Sequence, residues 1–341
     1  MNIKSTIKDM FKKNSVIYFT LFIIVFLIMG IISPKVFLGS YNIQSMAFQI
    51  PEFGIFTLGM MVTIITGGID LSIIANSNLS AVFASLAMYK YMETAGTSAN
   101  PTIVILLISS ICILTGLALG IFNGILVSFV HIPAILATLG SMKLFDGIST
   151  VCTGGQPFRD YPAIVASIGN NTFLGIPISF FFFITAAIAM YIIMNKTKLG
   201  KSIYLLGVSP LASKYSGLNN NLTILKTYAI SGLYAGVSGL IMMSRFNSIK
   251  VGYGNAYQLL TVLVCVMGGV NPNGGKGDVL CVTFSVLMLQ CIASGFNILG
   301  FSNYVRNIIY GIVLIIVMIV NALYPIITEK IAFRKLKKLN P

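Results

Sequence analysis

The sequence predicts an all-α, polytopic integral membrane protein of about ten transmembrane helices, with its N- and C-termini in the cytoplasm. Composition is the first reason. Of the 341 residues, 56% are hydrophobic and only 9% are charged, whereas a soluble domain carries about 25% charged residues. The mean hydropathy is +0.92. This composition excludes an ordinary water-soluble fold.

The second reason is a series of long apolar segments, since a helix needs about 20 residues to cross a bilayer. The fifth segment carries Lys143 and Asp146 and is the weakest. Pro51 and Pro133 begin the second and fifth segments, as first-turn prolines do. The predicted segments are 16–33, 50–66, 73–90, 102–129, 133–151, 173–194, 224–245, 256–268, 279–298 and 304–324.

The third reason is the placement of positive charge. Fourteen of the 22 Lys and Arg residues lie before the first segment, in or beside the loop 195–223, or in the C-terminal tail. A cytoplasmic N-terminus and ten crossings put all three places on the cytoplasmic side. The net charge of +14 is therefore interpreted as topogenic, not as a sign of nucleic-acid binding. The predicted organisation is a cytoplasmic segment 1–15, a transmembrane domain 16–325 with the loop 195–223, and a basic cytoplasmic tail 326–341.

Two glycine-rich polar segments interrupt the apolar pattern, Gly67-Gly68-Ile69-Asp70-Leu71-Ser72 and the stretch from Gly268 to Asp278. Polar backbone at membrane depth is tolerated only where protein or water satisfies it. The topology places both segments at the cytoplasmic face, where we interpret them as hinge-like junctions. Asp70 is predicted to cap a helix N-terminus and not to bind a coupling cation, because no second acid lies near it in sequence. An internal repeat and a chance likeness of glycine-rich sequence both remain open.

The loop 195–223 is the longest polar segment. Pro210 is expected to start a short helix and Gly217 to end it. Leu211, Tyr215 and Leu218 would form an apolar stripe on that helix. Such a helix suits a partner's groove, and it equally suits the lipid surface with Lys214 as an anchor.

We expect no catalytic, cofactor-binding or metal-ligating residue in this chain. Gly274-Gly275-Lys276-Gly277 lacks the spacing and the hydroxyl of a phosphate-binding loop. Five cysteines and the single His131 show no metal-ligand spacing. Lys143 and Asp146 share a helix face, either as a pathway or gate pair or as paired charges at a protein interface or helix end. Asn78 and Gln290 are further pathway candidates.

Four motifs in order resemble the ribose-type permeases of bacterial ABC importers, a CUT2-like carbohydrate family. The likeness runs from about residue 50 to 322. It has departures at Ser209, Ser213, Asp146, 271–273 and 294–297, which weaken ribose, or even an ordinary sugar, as the solute. The motifs are Thr66–Ser72, Asn123-Gly124 followed by Ile132–Gly140 with Pro133, Gly207–Leu218, and Gly268-Gly269 through Gly274-Gly275.

The resemblance implies a multi-pass permease subunit in the bacterial cytoplasmic (inner) membrane, which passes a sugar or sugar-like neutral solute by alternating access. Implied partners are a second permease chain, identical or not, a cytoplasmic ATPase that binds ATP and magnesium, and an extracytoplasmic solute-binding protein. Nucleic acid is not an expected partner. Alternatives are an ABC permease for branched-chain amino acids and an ion-coupled secondary transporter.

The resemblance also implies residue roles. The loop that couples to the ATPase would comprise Gly207, Pro210, Leu211, Ala212, Tyr215, Ser216, Gly217 and Leu218. The hinge motifs would comprise Gly67, Gly68, Asp70, Ser72, Asn123, Gly124, Pro133, Gly268, Gly269, Gly274 and Gly275.

Overall fold

The computed structural model describes residues 3–96, 100–302, 304–316 and 318–319, with side chains from residue 15 onward. The described chain is a bundle of helices with four two-residue strands. The helices are α1 (Ile3–Ile32), α2 (Pro34–Phe37), α3 (Ser40–Ile65), α4 (Ile73–Ala95), α5 (Pro101–Ser128), α6 (Ala134–Thr153), α7 (Ala163–Asn170), α8 (Ile178–Lys196), α9 (Lys198–Val208), α10 (Pro210–Tyr215), α11 (Asn220–Phe246), α12 (Tyr257–Met267), α13 (Val279–Ile298) and α14 (Tyr304–Ile316). The strands are β1 (Phe158–Arg159), β2 (Thr172–Phe173), β3 (Ile176–Pro177) and β4 (Ser248–Ile249).

The helices confirm a polytopic helical membrane protein. Among the described residues, seven helices are long and apolar enough to cross a membrane, namely α1, α3, α5, α6, α8, α11 and α13. The other three predicted segments coincide with α4, α12 and α14. The α4 helix carries Asn76, Ser77 and Asn78 in its first turns, and α12 and α14 are shorter than a full crossing.

The α3 helix is the centre of the bundle and is buried from Ile50 to Ile65. Two glycines let neighbours approach it closely. A Cβ atom on Gly54 would lie 2.7 Å from the ring of Phe183, and one on Gly59 would lie 3.1 Å from Cβ of Tyr234. The helix begins at Ser40, so Pro51 lies inside it and not in its first turn as predicted.

Helices α5 and α11 cross at a seam of glycines, spaced four residues apart on each helix. A Cβ on Gly116 would lie 2.5 Å from the carbonyl oxygen of Gly232, and one on Gly236 would lie 3.0 Å from Cα of Ile113. Small residues at this spacing allow membrane helices to pack backbone to backbone. Gly124 continues the seam, since its Cβ would lie 3.0 Å from Cα of Leu225. Close packing therefore explains Gly124, which was predicted as part of a hinge motif.

The connections gather at two ends of the bundle. At one end, β1 pairs with β4, and the Tyr89 hydroxyl at the end of α4 donates to the carbonyl oxygen of Arg159. The other end collects the last turns of α3, the helices α9 and α10, and the connection between α12 and α13. We call it the junction end.

Several elements were not predicted. They are α2, α7, α9 and the four strands, all short. Strands β2 and β3 fall at the start of the predicted segment 173–194, whose helix α8 begins only at Ile178, and the others lie in stretches between the predicted segments. The α1 helix starts at Ile3, so it runs through the segment 1–15 that was predicted to be separate. The predicted basic tail 326–341 lies outside the described residues.

Candidate functional site

The end of α3, the helix α9 and the connection between α12 and α13 pack against one another at the junction end, and glycines allow their backbones to touch. The amide of Gly275 donates to the carbonyl oxygen of Ile65, the last residue of α3, at 2.8 Å. A Cβ on Gly207 in α9 would overlap that same oxygen and the Gly275 amide. A Cβ on Gly274 would lie 3.0 Å from the Gly207 carbonyl oxygen and from the Gly67 amide nitrogen. We call this cluster, Ile65, Gly67, Gly207, Gly274 and Gly275, the glycine junction.

The short helix predicted at Pro210 is present as α10. Pro210 occupies its first turn, and Gly217 follows its end with φ +77°. Ser209 alone separates it from α9, and the Ser209 hydroxyl oxygen accepts the amide of Ala212 at 3.2 Å. The helix therefore begins three residues after Gly207 and is joined directly to the glycine junction.

The α10 helix presents an apolar surface outward. Leu211 is 68% exposed and Tyr215 is 89% exposed, while Leu218 is half-buried. The opposite side is fixed to α11, since the Ser213 hydroxyl donates to Asn220 Oδ1 at 2.7 Å. A helix that is held on one side and apolar on the other is shaped to meet a partner surface.

The segment from Thr66 to Ser72 folds back into the bundle after α3 ends. Gly67, at φ +84°, makes the turn, and Ile73 at the start of α4 packs its side chain against Gly59. Other helices satisfy the polar backbone of this segment. The Ile69 carbonyl oxygen accepts the Thr138 hydroxyl of α6 at 3.0 Å, and the Leu71 carbonyl oxygen accepts the Gln258 amide of α12 at 3.1 Å. Irregular backbone within a membrane protein requires such partners.

Asp70 is the buried centre of this re-entrant segment. Its Oδ1 accepts the amide of Ser72 at 3.1 Å and the Ser72 hydroxyl at 2.7 Å, and its Oδ2 accepts the Ser231 hydroxyl at 2.8 Å. The Asn123 side chain of α5 donates to the Ser72 oxygen at 2.6 Å. Asp70 thereby ties α5 and α11 to the start of α4.

The role of Asp70 resembles the predicted cap but differs in position. Ser72 occupies the N-cap site of α4, and Asp70 accepts the Ser72 amide from two residues upstream. Burial raises the pKa of the Asp70 carboxyl above its ordinary value, and the hydrogen bonds from Ser72 and Ser231 oppose that rise. Both carboxyl oxygens are engaged by groups of the chain itself.

Other predicted site residues lie away from the glycine junction. Pro133 precedes α6 at its N-cap position, and Gly268 ends α12. Asn78 and Gln290 are buried inside the bundle, where Asn78 donates to the Tyr253 carbonyl oxygen at 3.0 Å and Gln290 donates to Gln49 Oε1 at 3.3 Å. These contacts favour a packing role for both amides over a place on a passage.

Lys143 and Asp146 both lie on α6. Lys143 is exposed and Asp146 is half-buried. The single ion pair that occurs among the described residues is Arg245–Glu52, so Lys143 and Asp146 attract each other across their shared turn without a direct ion-pair contact.

Sequence reasoning missed a buried polar cluster of α3, α11 and α12. The Arg245 guanidinium pairs with Glu52 Oε1 and also donates to the Phe48 carbonyl oxygen at 3.1 Å, while the Tyr257 hydroxyl donates to Glu52 Oε2 at 2.7 Å. The sequence did carry a signal for this cluster, because Glu52 lies in the apolar segment 50–66 and Arg245 lies at the end of the segment 224–245. Opposite charges inside membrane spans usually pair, so this ion pair could have been predicted.

No metal site is found in the part of the chain that the structure describes, where no group of three His, Cys, Asp or Glu side chains is close enough to hold an ion. His131 is exposed between α5 and α6, and its Nδ1 lies 3.0 Å from the Phe129 carbonyl oxygen.

Known proteins that are similar to this chain are permeases of transport systems. Residues 42–318 match the family described as branched-chain amino acid transport system / permease component. The ribose import permease protein RbsC of Bacillus subtilis is 30% identical over 303 residues, which cover 88% of this chain and 90% of the relative. RbsC of Haemophilus influenzae is 32% identical over 306 residues, covering 88% and 91%.

A second kind of relative has a similar level of likeness. The autoinducer 2 import system permease protein LsrD of Salmonella typhi is 26% identical over 299 residues, covering 85% of this chain and 86% of the relative. No solved structure matches the chain at a significant level.

Proposed function

The chain belongs to this family of transport-system permease components, and we propose that it forms the solute pathway of an ATP-binding-cassette importer for a sugar or sugar-like neutral solute. The resemblance to ribose-type permeases that the sequence motifs carry is confirmed by these matches. The protein is a multi-pass protein of the bacterial inner membrane. The named activities of the relatives, ribose import and autoinducer 2 import, support the solute class.

One structural observation carries the proposed mechanism. The exposed helix α10 is separated from Gly207 by two residues, and Gly207 touches both the end of α3 and the Gly274-Gly275 turn. A push on α10 therefore reaches both glycine-rich segments at once. Because closely packed backbones shift as units, this contact suits the transmission of movement from an ATPase to the membrane helices.

The junction end is assigned to the cytoplasm. The basic residues Lys196, Lys198, Lys201 and Lys214 lie on or beside α9 and α10 at this end, as the positive-inside rule requires. The loops 152–172 and 246–255, which a cytoplasmic N-terminus and ten crossings would put on the outer side, meet at the other end through β1 and β4. Ten crossings with both termini inside fit this grouping, with α4, α12 and α14 as the three additional spans.

The proposed partners follow from this arrangement. A cytoplasmic ATPase would bind α10 and supply ATP and magnesium chemistry. A second permease chain would complete the pathway, and an extracytoplasmic binding protein would deliver the solute. Alternating access would then result from ATP-driven closure of the ATPase beneath the glycine junction.

Ion coupling is the weaker alternative. The carboxyl oxygens of Asp70 are taken by Ser72 and Ser231, and Glu52 is taken by Arg245 and Tyr257. Neither acid is therefore free to bind a coupling cation. Import that continues after the ion gradients are collapsed, and stops when the ATPase is inactivated, would exclude a secondary transporter.

A branched-chain amino acid permease is the other alternative. Competition of labelled leucine with sugars for the cognate binding protein separates an amino acid permease from a sugar permease.

The proposed docking of the ATPase is tested on α10 itself. We expect the double variant Leu211→Ser with Tyr215→Ser to lose co-purification of the ATPase by about tenfold or more, because two exposed apolar anchors are removed. The measurement is the amount of ATPase that a tagged permease retains from detergent-solubilised membranes.

The matched control is Leu174→Ser. Leu174 is 88% exposed in the β2–β3 turn, near the start of α8, whose other end leads to α9. This variant should retain the ATPase fully. Normal retention of the ATPase by the α10 double variant would remove the coupling assignment, whereas equal loss in both variants would indicate general damage to the fold.

A further inference from the structure

A cavity of about 240 Å³ lies between α12 and α14. We call it the α12–α14 cavity. Each helix turns one face toward it, because the lining residues recur at spacings of three or four along the chain. Its walls include Asn255, Leu259 and Leu263 on the α12 side, and Asn307, Tyr310 and Leu314 on α14.

The α12–α14 cavity lies beside the start of a half-length helix. The α12 helix has 11 residues and ends at Met267, at the junction end. It therefore rises about 16 Å, whereas the apolar core of a bilayer is about 30 Å thick. Its first residue, Tyr257, lies near the middle of the membrane. The chain comes to that depth from the outer end, where β4 pairs with β1, through turns at two glycines with positive φ. This connection is a second re-entrant segment, opposite in direction to Thr66–Ser72.

Contacts with the interior of the bundle fix the start of α12. The Tyr257 hydroxyl donates to Glu52 Oε2 of α3 at 2.7 Å. The Gln258 amide donates to the carbonyl oxygen of Leu71, in the segment Thr66–Ser72, at 3.1 Å. The two re-entrant segments thus meet beside the α12–α14 cavity. Transporters commonly bind their solutes near the midplane of the bilayer, where interrupted helices meet.

The polar side chains that line the cavity have no partner of their own. Asn255, Asn307 and Tyr310 make no side-chain hydrogen bond within the part of the chain that the structure describes. Together they supply two carboxamides and a phenol, which both donate and accept hydrogen bonds. Because polar side chains within a membrane face a protein interior or a water-filled cavity and not lipid, these three groups indicate a hydrated space.

The lining suits a small neutral solute with hydroxyl groups. Among the described residues, no charged side chain lines the cavity, so an ion or a zwitterion would leave water without meeting an opposite charge. The carboxamides match hydroxyl groups, while the leucines and the ring of Tyr310 offer apolar surface to a carbon skeleton. The volume lies below the range of about 300–1,000 Å³ that is typical of sites for drug-sized ligands. A solute of monosaccharide size fits this space.

We propose that the α12–α14 cavity is a binding site on the solute pathway for a neutral, polyhydroxylated solute of monosaccharide size. The side chains of Asn255, Asn307 and Tyr310 hydrogen-bond to its hydroxyl groups, and the leucines lie against its carbon skeleton. The proposal rests on the proposed function for the class of solute. It adds the residues that recognise the solute within the membrane.

Protection of an introduced cysteine tests this binding without the ATPase and without transport. Leu259 is 66% exposed, so Leu259→Cys in the purified permease should react with a charged maleimide. D-Ribose, D-xylose and D-glucose are tried one at a time, and at least one should slow the reaction by about threefold or more when it is present above its dissociation constant. Leucine at the same concentration should not slow it. The native chain, whose cysteines are buried or half-buried, supplies the background.

Matched variants separate binding in the cavity from a general effect of the sugar. Leu174→Cys, at an 88% exposed position of the β2–β3 turn, should react at the same rate with and without sugar. In the Leu259→Cys chain, Asn255→Leu together with Asn307→Leu should abolish protection and leave the labelling itself intact. Asn195→Leu, which changes an exposed asparagine at the end of α8, should leave protection unchanged.

The proposal fails if Leu259→Cys is not labelled, if none of the three sugars protects it, or if protection survives the loss of both carboxamides. Should the double variant not fold, Tyr310→Phe keeps the ring and removes one hydroxyl, and it should reduce protection by about twofold or more. Unchanged protection in that variant would then overturn the site.

Uptake of the same sugars by vesicles that contain the complete importer is measured separately, so that the two proposals fail in different ways. ATP-driven uptake without protection of Leu259→Cys would overturn the α12–α14 cavity as a solute site and leave the proposed function standing. Protection without any ATP-driven uptake would count against the proposed function and not against the site.

Discussion

Two connections in this chain begin with the same local structure, one between α3 and α4 and one between α12 and α13. Each starts with a glycine in the left-handed region, Gly67 at φ +84° and Gly269 at φ +79°. In each, the next amide returns to a carbonyl five residues back. Gly68 donates to Thr63 and Val270 donates to Cys265, both at 3.0 Å. This is the usual glycine-terminated end of a helix.

They also end alike, with an aspartate at the start of the following helix. Oδ1 of Asp70 accepts the Ser72 amide at 3.1 Å, and Oδ1 of Asp278 accepts the Leu280 amide at 2.9 Å. The second oxygen of each takes a serine hydroxyl from a distant helix. Ser231 donates to Asp70 and Ser15 donates to Asp278.

The difference lies in the residues between glycine and aspartate. Gly67 and Asp70 are three residues apart, and Gly269 and Asp278 are nine apart. The longer connection forms a closed turn, in which the Asn271 amide donates to the Lys276 carbonyl oxygen at 3.0 Å, and it extends to the glycine junction. The shorter one goes into the bundle, where Asp70 is fully buried while Asp278 is 9% exposed. The same ends thus flank a buried anchor in the shorter connection and a contact with the glycine junction in the longer one.

The largest effect should come from breaking the contact between these two regions at Gly207. In Gly207→Ala, the added methyl group would overlap the Ile65 carbonyl and the Gly275 amide. Both are backbone atoms that cannot move aside, so we expect a loss of about 3 kcal/mol in the free energy of unfolding. Thermal unfolding of the purified permease in detergent measures it.

Gly217→Ala is the control for that substitution. Gly217 needs a positive φ, +77°, and has open space around it, whereas Gly207 lies in a helix with an ordinary φ and has backbone atoms against it. Gly217→Ala should therefore cost only backbone strain of about 1 kcal/mol. Equal destabilisation by the two variants would contradict steric overlap at the glycine junction as the larger cost.

Substitution of each aspartate by alanine compares how much Asp70, the buried anchor, and Asp278, the cap of α13, contribute to the free energy of unfolding. Asp70→Ala leaves the Ser72 amide, the Ser72 hydroxyl and the Ser231 hydroxyl without their acceptor in a fully buried site, which we expect to cost about 3 kcal/mol. Asp278→Ala removes the cap of α13 and the acceptor of one serine hydroxyl at a slightly exposed site, and should cost less, about 1 kcal/mol. Unfolding midpoints of the two variants, measured side by side, test the order, and the reverse order would contradict the assignment of Asp70 as the deeper anchor.

The sequence predicts the positions of the helices and motifs along the chain, but it does not predict the tertiary contacts between them. The length of the apolar runs located ten segments that each overlap a helix, and Pro210 with Gly217 located α10, because these signals are local. The convergence of Gly67, Gly207 and Gly274 depends on tertiary packing between segments that are far apart in the chain. The return of Thr66–Ser72 into the bundle also depends on Thr138 and Gln258, which no local pattern connects to it.

The smallest effect concerns the position after each turn glycine, where the two connections differ by one side chain. Val270 is fully buried there, but the equivalent Gly68 faces the Tyr228 hydroxyl, to which a Cβ would lie at 2.7 Å. That hydroxyl is buried and has no hydrogen-bond partner among the described residues, so Tyr228→Phe alone should change stability by less than about 1 kcal/mol. Gly68→Ala should cost about 1 to 2 kcal/mol in the native background and clearly less in the Tyr228→Phe background. A double-mutant cycle with no coupling would show that some other contact, such as the one with Ala134 at 3.3 Å, keeps this position a glycine.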